Sequence, residues 1–344
     1  MFLLLYELYQ ILLKPQTFFN SINIAKIEIK LSKGIYGLRT FFISSIFFTL
    51  YIILKKFTKQ KFRSYNLFVG LGYFICSLVV FSCLKFFNVT NEPWFDIYLL
   101  WACLGGFLWA MALILLMLAI DRIGVARAGQ YKNLQAPLGS LLILFLLSEF
   151  KDINLYVVIS AIFLTFLGAL CYSVNAESGY IDLLGISMAI ASAILYSINS
   201  VIRKMVTGLG FVYSQQLYSS LTIVISIMLF LLVVNKIKTN KPTKKQDWEK
   251  VRKECTPCVN NFNFKDSCIG LCAGLSYFLA SILLTLSYTY ISGTVAFIVS
   301  QSCAVWTALV GVFVFREMSF KKHWIRILIG LLFSVIGIML LSFS

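Results

Sequence analysis

Residues 105–149 can be laid on residues 273–317 without a gap, and no other feature constrains the chain as much. At a shift of 168 residues Gly106 meets Gly274, Ala112 meets Ala280, Ile114 to Leu116 meet Ile282 to Leu284, Ile123 meets Ile291, Ala136 meets Ala304 and Glu149 meets Glu317. Apolar segments match easily by chance, but the loop position and the terminal glutamate fall in step too, so the chain carries an internal repeat. A second register, residues 37–56 on 185–204 at a shift of 148, ends in Lys55-Lys56 and Arg203-Lys204 and reaches the first helix of each half.

The repeated material is apolar enough to cross a bilayer. Ten runs, each about 20 residues and so about 30 Å long as a helix, fall near 35–54, 67–87, 97–120, 124–147, 153–173, 181–203, 211–235, 267–290, 294–315 and 324–343. With hydrophobic residues at 60% and mean hydropathy at +0.87, the chain has more apolar surface than a soluble fold of its size can hide. The reading is an all-α integral membrane protein of ten transmembrane helices, arranged as two inverted five-helix repeats.

Five is the informative number. A unit of five spans begins and ends on opposite sides, so its copy enters the membrane upside down. Such repeats place a solute site at their interface near the midplane and expose it to each side in turn. The expected domains are a basic, interfacial N-terminal segment (1–33), a first repeat (34–180) and a second repeat (181–344) with a hydrophilic loop at 236–266. Residues 1–13 lack a basic leader, carry Glu7 and are too short to span, which disfavours a signal peptide.

The net charge of +16 would suggest nucleic acid in a soluble protein, but most of these cations flank apolar runs and meet lipid headgroups. The expected partners are therefore a lipid bilayer and a small polar metabolite, with no nucleic acid. Alternating assignment of the 30 Lys and Arg puts 9 on the side of the termini and 21 opposite, 9 of those in residues 236–266. That count alone favours termini outside, and without the long loop it is close to a tie.

Candidate cavity walls come from the fourth and ninth runs. Lys132, Gln135 and Gly139 share one helical face with Asn133 and Tyr131 beside it, and the repeat sets Ser300, Cys303 and Thr307 at the matching positions. Polar faces on both members of a repeat pair are expected where the two helices line a common cavity, since amides and hydroxyls toward lipid stay unsatisfied. Lys132 lies about 12 Å into its helix, deep enough to need a partner or water, unless the helix starts later and the side chain snorkels. Trp109 and Tyr277, matched by the repeat, suit a sugar ring as well as ordinary packing. Tyr196 and Asn199 join the candidate set, and Gln215-Gln216 either join it or meet headgroups.

Other features carry less. Glu149 and Glu317 read as interfacial anchors beside Lys151 and Arg316 rather than proton carriers. Gly270 and Gly274 form a GxxxG that would permit close helix approach or a homodimer. Cys255, Cys258 and Cys268 are either a disulfide, such as Cys258 with Cys268, or reduced thiols. No phosphate-binding glycine loop and no HExxH pair occurs, so the chain reads as no enzyme, with no catalytic residue, no metal and no cofactor.

The run opening with Ile123-Gly124-Val125-Ala126, holding Pro137 and closing at Ser148-Glu149 resembles the fourth helix of drug/metabolite transporters. Its counterpart, from Val295-Ala296-Phe297 through Ser300-Gln301 to Arg316-Glu317, is similar to the second half of the glucose/ribose porter (EamA-like) branch. The resemblance implies a ten-helix carrier with a central cavity and cytosolic termini, which would put the cysteine-bearing loop outside or in a lumen. It departs from that pattern at Ser148 and Arg316, at Val305 in place of a proline, and in the insertion at 236–266, which leaves the substrate class open between a sugar and an amino-acid or drug-like solute. A non-transporting membrane scaffold is the reading from another class.

Overall fold

A computed structural model describes residues 39–40, 42–58, 62–132, 134–147, 154–173, 182–239 and 264–290, with scattered positions between 303 and 340. Every regular element among them is helical. In chain order they are α1 (Phe42–Leu54) with a 3-10 turn at Lys55–Phe57, α2 (Phe62–Phe86), α3 (Leu99–Ile123), α4 (Val125–Lys132), α5 (Gln135–Leu146), α6 (Leu155–Ser173), α7 (Leu183–Gly208), α8 (Ser214–Thr239) and α9 (Phe264–Tyr290). Five of these helices (α2, α3, α7, α8 and α9) are long and apolar enough to span a bilayer. Their outward faces are hydrocarbon, and Trp94, Phe95, Tyr98 and Trp101 stand exposed around the start of α3, where interfacial aromatics belong. The protein is a multi-pass integral membrane protein.

The fourth apolar run differs from expectation. Instead of one helix over 124–147 it forms two, α4 and α5, with Leu134 in a turn between them and its N–H on the Tyr131 carbonyl at 3.2 Å. Pro137 supplies the reason, because a proline has no N–H with which to carry the helical ladder through this stretch. At the other end of α4, Gly124 alone links it to α3 at φ 83° and ψ 163°, a conformation in effect reserved for glycine.

The helices pack across the two halves of the sequence. α3 lies along α7 and α8, while α9 lies along α2. Glycine makes both approaches possible: a Cβ on Gly106 would run into the Ser219 backbone of α8, and one on Gly274 would meet Tyr73 N of α2 at 2.7 Å. Gly270 is equally close to Phe68 at 2.6 Å, so the GxxxG face is filled by α2 of the same chain.

Hydrogen bonds repeat this crossing. The Ser44 hydroxyl of α1 donates to the Ala280 carbonyl of α9 at 2.7 Å, and the Ser192 hydroxyl of α7 donates to the Ala112 carbonyl of α3 at 2.8 Å. Ser192 stands 148 residues after Ser44, and Ala280 stands 168 after Ala112. The same holds for Thr49 on the Cys303 carbonyl at 3.1 Å and Ser197 on the Gln135 carbonyl at 3.0 Å. The sequence repeat is thus a repeat of contacts.

Two further devices hold the ends. Glu92, in the loop before α3, accepts from the N–H groups of Val212, Tyr213 and Ser214 and from the Ser214 hydroxyl, at 2.7–3.1 Å, and so caps the start of α8 from a distant part of the chain. Burial first, and the Glu92 charge second, push the Tyr213 phenol up to about 12. Asp182 caps α7 through the Gly185 N–H at 3.0 Å and pairs with Arg122 at 3.4 Å, and these contacts hold its carboxyl below the ordinary carboxylate range.

Candidate functional site

A narrow cavity lies where α1, α3, α4, α5, α7 and α9 converge with Cys303. It is lined by Phe48 and Tyr51 of α1, Trp109 of α3, Lys132 of α4 and Gln135 of α5. Tyr196, Asn199, Ser200 and Arg203 of α7, Tyr277 and Leu284 of α9, and Cys303 complete it. The hollow measures about 470 Å³ counted to its mouth, but the space between side chains takes only a few waters in this conformation.

Helix periodicity aims these side chains. Phe48 and Tyr51 follow one face of α1, as Tyr196, Asn199, Ser200 and Arg203 follow one face of α7. The break in the fourth run turns the end of α4 and the start of α5 toward the cavity, so Lys132 is the last residue of one helix and Gln135 the first of the next. The C-terminal carbonyls of α4 favour the ammonium there.

Rings form the floor. Trp109 and Tyr277 touch each other with centroids 4.5 Å apart, although they are matched positions of the two repeats. Phe48 meets Tyr277 at 5.6 Å and 66°, and the positions matched to them, Tyr196 and Trp109, meet at 6.2 Å and 71°. Four matched pairs line the cavity: Phe48 with Tyr196, Tyr51 with Asn199, Trp109 with Tyr277, and Gln135 with Cys303. Lys132 is 6% exposed, and its ammonium stands 5.1 Å above the Tyr196 ring and 5.9 Å from that of Tyr51. Arg203 reaches the Tyr277 hydroxyl at 3.4 Å. Asn199 makes no hydrogen bond with a described residue; Gly105 leaves it room, since a Cβ there would come within 2.9 Å of its Oδ1.

Of the residues singled out from sequence, the structure brings Lys132, Gln135, Cys303, Trp109, Tyr277, Asn199 and Tyr196 to this one cavity. Asn133, Ser300 and Thr307 lie outside the described residues, as do Glu149, Glu317, Cys255, Cys258 and residues 1–33. Gln215 and Gln216 meet neither headgroups nor the cavity. Gln215 is buried on Thr207 at 2.8 Å, and Gln216 ties α8 to Tyr73 of α2 and to Ser281 and Thr285 of α9. Phe48, Tyr51, Ser200, Arg203 and Leu284 were not anticipated. The shift of 148 that finds Tyr196 and Asn199 in the second half leads straight to Phe48 and Tyr51 in the first. Arg203 was read only as the basic end of a span.

Among the described residues no group of His, Cys, Asp or Glu could hold a metal ion. The described lining offers flat aromatic faces, amide and hydroxyl groups, and two cations.

The family model described as Sugar transport protein matches residues 17–175 and 248–344, more than half of the chain. A solved crystal structure shares the fold, with a TM-score of 0.59 over 91% of this chain and 98% of its own at 14% identity. No curated protein matches.

Proposed function

The chain belongs to the sugar transport protein family, and from that premise we propose that it carries a small polar metabolite, a sugar first, across its membrane by alternating access. The observation that carries this reading is the cavity lined by matched pairs from the two repeats. A contact made by one half on the other and returned at the matched positions is what a two-fold relation between halves produces, and matched residues that touch lie on its axis. With five spans in each half that axis runs in the membrane plane, giving ten helices as two inverted repeats that rock about the site. The glucose/ribose porter branch of the drug/metabolite transporters has this design.

In this reading the sugar ring lies against Trp109 and Tyr277, while Gln135, Asn199 and Lys132 take its hydroxyls together with Asn133, Ser300, Cys303, Thr307 and Tyr196. The described cavity takes only a few waters, so it is a closed member of the cycle, and loading needs the halves to part. A cationic drug-like solute would recruit a carboxylate, and none lines the cavity among the described residues. A packed scaffold would have no use for an unbonded Asn199. The resemblance to drug/metabolite transporters supports cytosolic termini.

The test is uptake of labelled hexoses, hexuronates and hexose phosphates into proteoliposomes holding the purified chain. Saturable uptake that drops about tenfold or more in Asn199→Ala and in Trp109→Ala is expected. A chain that carries none of these solutes is no sugar carrier.

A further inference from the structure

Among the described residues, the cavity lining holds two cations and no acid. Lys132 and Arg203 are the charged side chains of that described lining, and no ion pair of either is found among the described residues. Lys132 has the rings of Tyr196 and Tyr51 for company, and Arg203 has one long contact, 3.4 Å, with the Tyr277 hydroxyl. Ring faces recover only part of what an ammonium loses on leaving water, and ionisable groups at this depth normally face an opposite charge or a wet path. Among the described residues, the hollow between the rings is where such a charge can approach.

The backbone adds to the bias. The ammonium of Lys132 sits at the carbonyl end of α4, which keeps its charge favourable. α5 begins three residues later, at Gln135 in the same cavity wall, and the start of a helix presents partial positive charge. Ammonium and guanidinium thus carry one sign into one hollow, which repels a cation and leaves a neutral sugar with two cations beside it.

Building on the carrier reading, we infer that the solute bears a negative charge: a hydroxylated ring with a carboxylate or phosphate group that pairs with Lys132, the ring resting on Trp109 and Tyr277. Arg203, one helical turn beyond Asn199, is the second cation the anion meets on its way through. Selection between a sugar and its acid or phosphate then rests on Lys132, and hydroxyl recognition on Gln135 and Asn199.

The experiment is thermal stabilisation of the purified full chain by a neutral hexose, the matching hexuronate, the matching hexose phosphate and inorganic phosphate, followed by uptake of the same solutes into proteoliposomes. One of the two anionic sugars should bind at least about tenfold more tightly than the neutral hexose. The preference should vanish in Lys132→Gln and survive in part in Lys132→Arg; which anionic sugar shows it separates carboxylate from phosphate. Arg203→Gln supplies a second reading should Lys132→Gln fail to fold, and a weakened preference is again expected. Neutral hexose bound and carried equally well by the native chain and Lys132→Gln, with no gain from the anionic forms, overturns the charge inference and leaves the carrier standing. Inorganic phosphate that stabilises as well as the sugar phosphate removes the ring from the inference. Uptake of none of these solutes sinks the carrier reading, and this one with it.

Discussion

Gln216 shows how one side chain can decide the order of three helices. Its carbonyl oxygen accepts from Tyr73 and Ser281, its amide donates to Thr285, and it is 2% exposed. Gln216→Leu keeps the volume but removes the acceptor shared by the Tyr73 and Ser281 hydroxyls, which then have only each other at 3.3 Å, while Thr285 keeps its bond to the Ser281 carbonyl, so it should destabilise the protein by about 1–3 kcal/mol, read as a lower midpoint in thermal unfolding in detergent. An unchanged midpoint would mean that the hydroxyls find other partners. In the sequence a paired glutamine after a short loop looked like an interfacial residue, because nothing local tells that Tyr73 and Thr285 lie opposite. Lys132 was the reverse case. Its depth in an apolar run was legible from spacing alone, while the two tyrosine rings beside it come from helices 81 residues before and 64 after.

At the scale of elements, periodicity and length gave the five long helices α2, α3, α7, α8 and α9, and backbone chemistry divided the fourth apolar run. Apolar character is the same on either side of Pro137, so hydropathy reads 124–147 as one helix; only the missing N–H divides it. Glu92 was invisible for a different reason, since capping a helix 122 residues away leaves no local pattern. Glu92→Ala removes the acceptor for three backbone amides and a hydroxyl at the start of α8, and should cost about 1–3 kcal/mol, measured as faster amide exchange at Val212, Tyr213 and Ser214. Exchange at native rates would show that water caps α8 just as well. The Asp182 cap gives a pH dependence of known sign. Its carboxyl titrates below the unfolded value, so its contribution is present at neutral and mildly acidic pH and is lost as pH falls through its depressed folded value. A titration of the unfolding midpoint should therefore show a shallower acid limb in Asp182→Asn than in the native chain, and identical limbs would remove Asp182 from the balance.

For the whole molecule, the repeat found by laying the chain on itself accounts for contacts that no single half explains. α1 serves α9, α7 serves α3, and each pair is joined by hydroxyls at matched positions. What the repeat could not convey was which half each first helix would join, since packing within a half and packing across halves give the same sequence pattern. Inversion makes a concrete prediction. Tyr51 and Asn199 are matched positions, each four residues before a basic helix end at Lys55 or Arg203. In a chain freed of its native cysteines, Tyr51→Cys and Asn199→Cys should react with a membrane-impermeant thiol reagent from opposite faces of the membrane, and solute should slow both. Labelling of both from one face alone would contradict the inversion.

The matched pairs around the cavity are not identical pairs. Trp109 faces Tyr277, Tyr51 answers to Asn199, and Gln135 answers to Cys303. Under the proposed alternating access, exchange of roles between the halves would not return an equivalent wall, so the inward- and outward-open forms would differ in energy even with nothing bound. On that proposal a handful of mismatched side chains sets the side on which the empty carrier rests, and swapping Trp109 with Tyr277 should shift that resting face without touching the backbone.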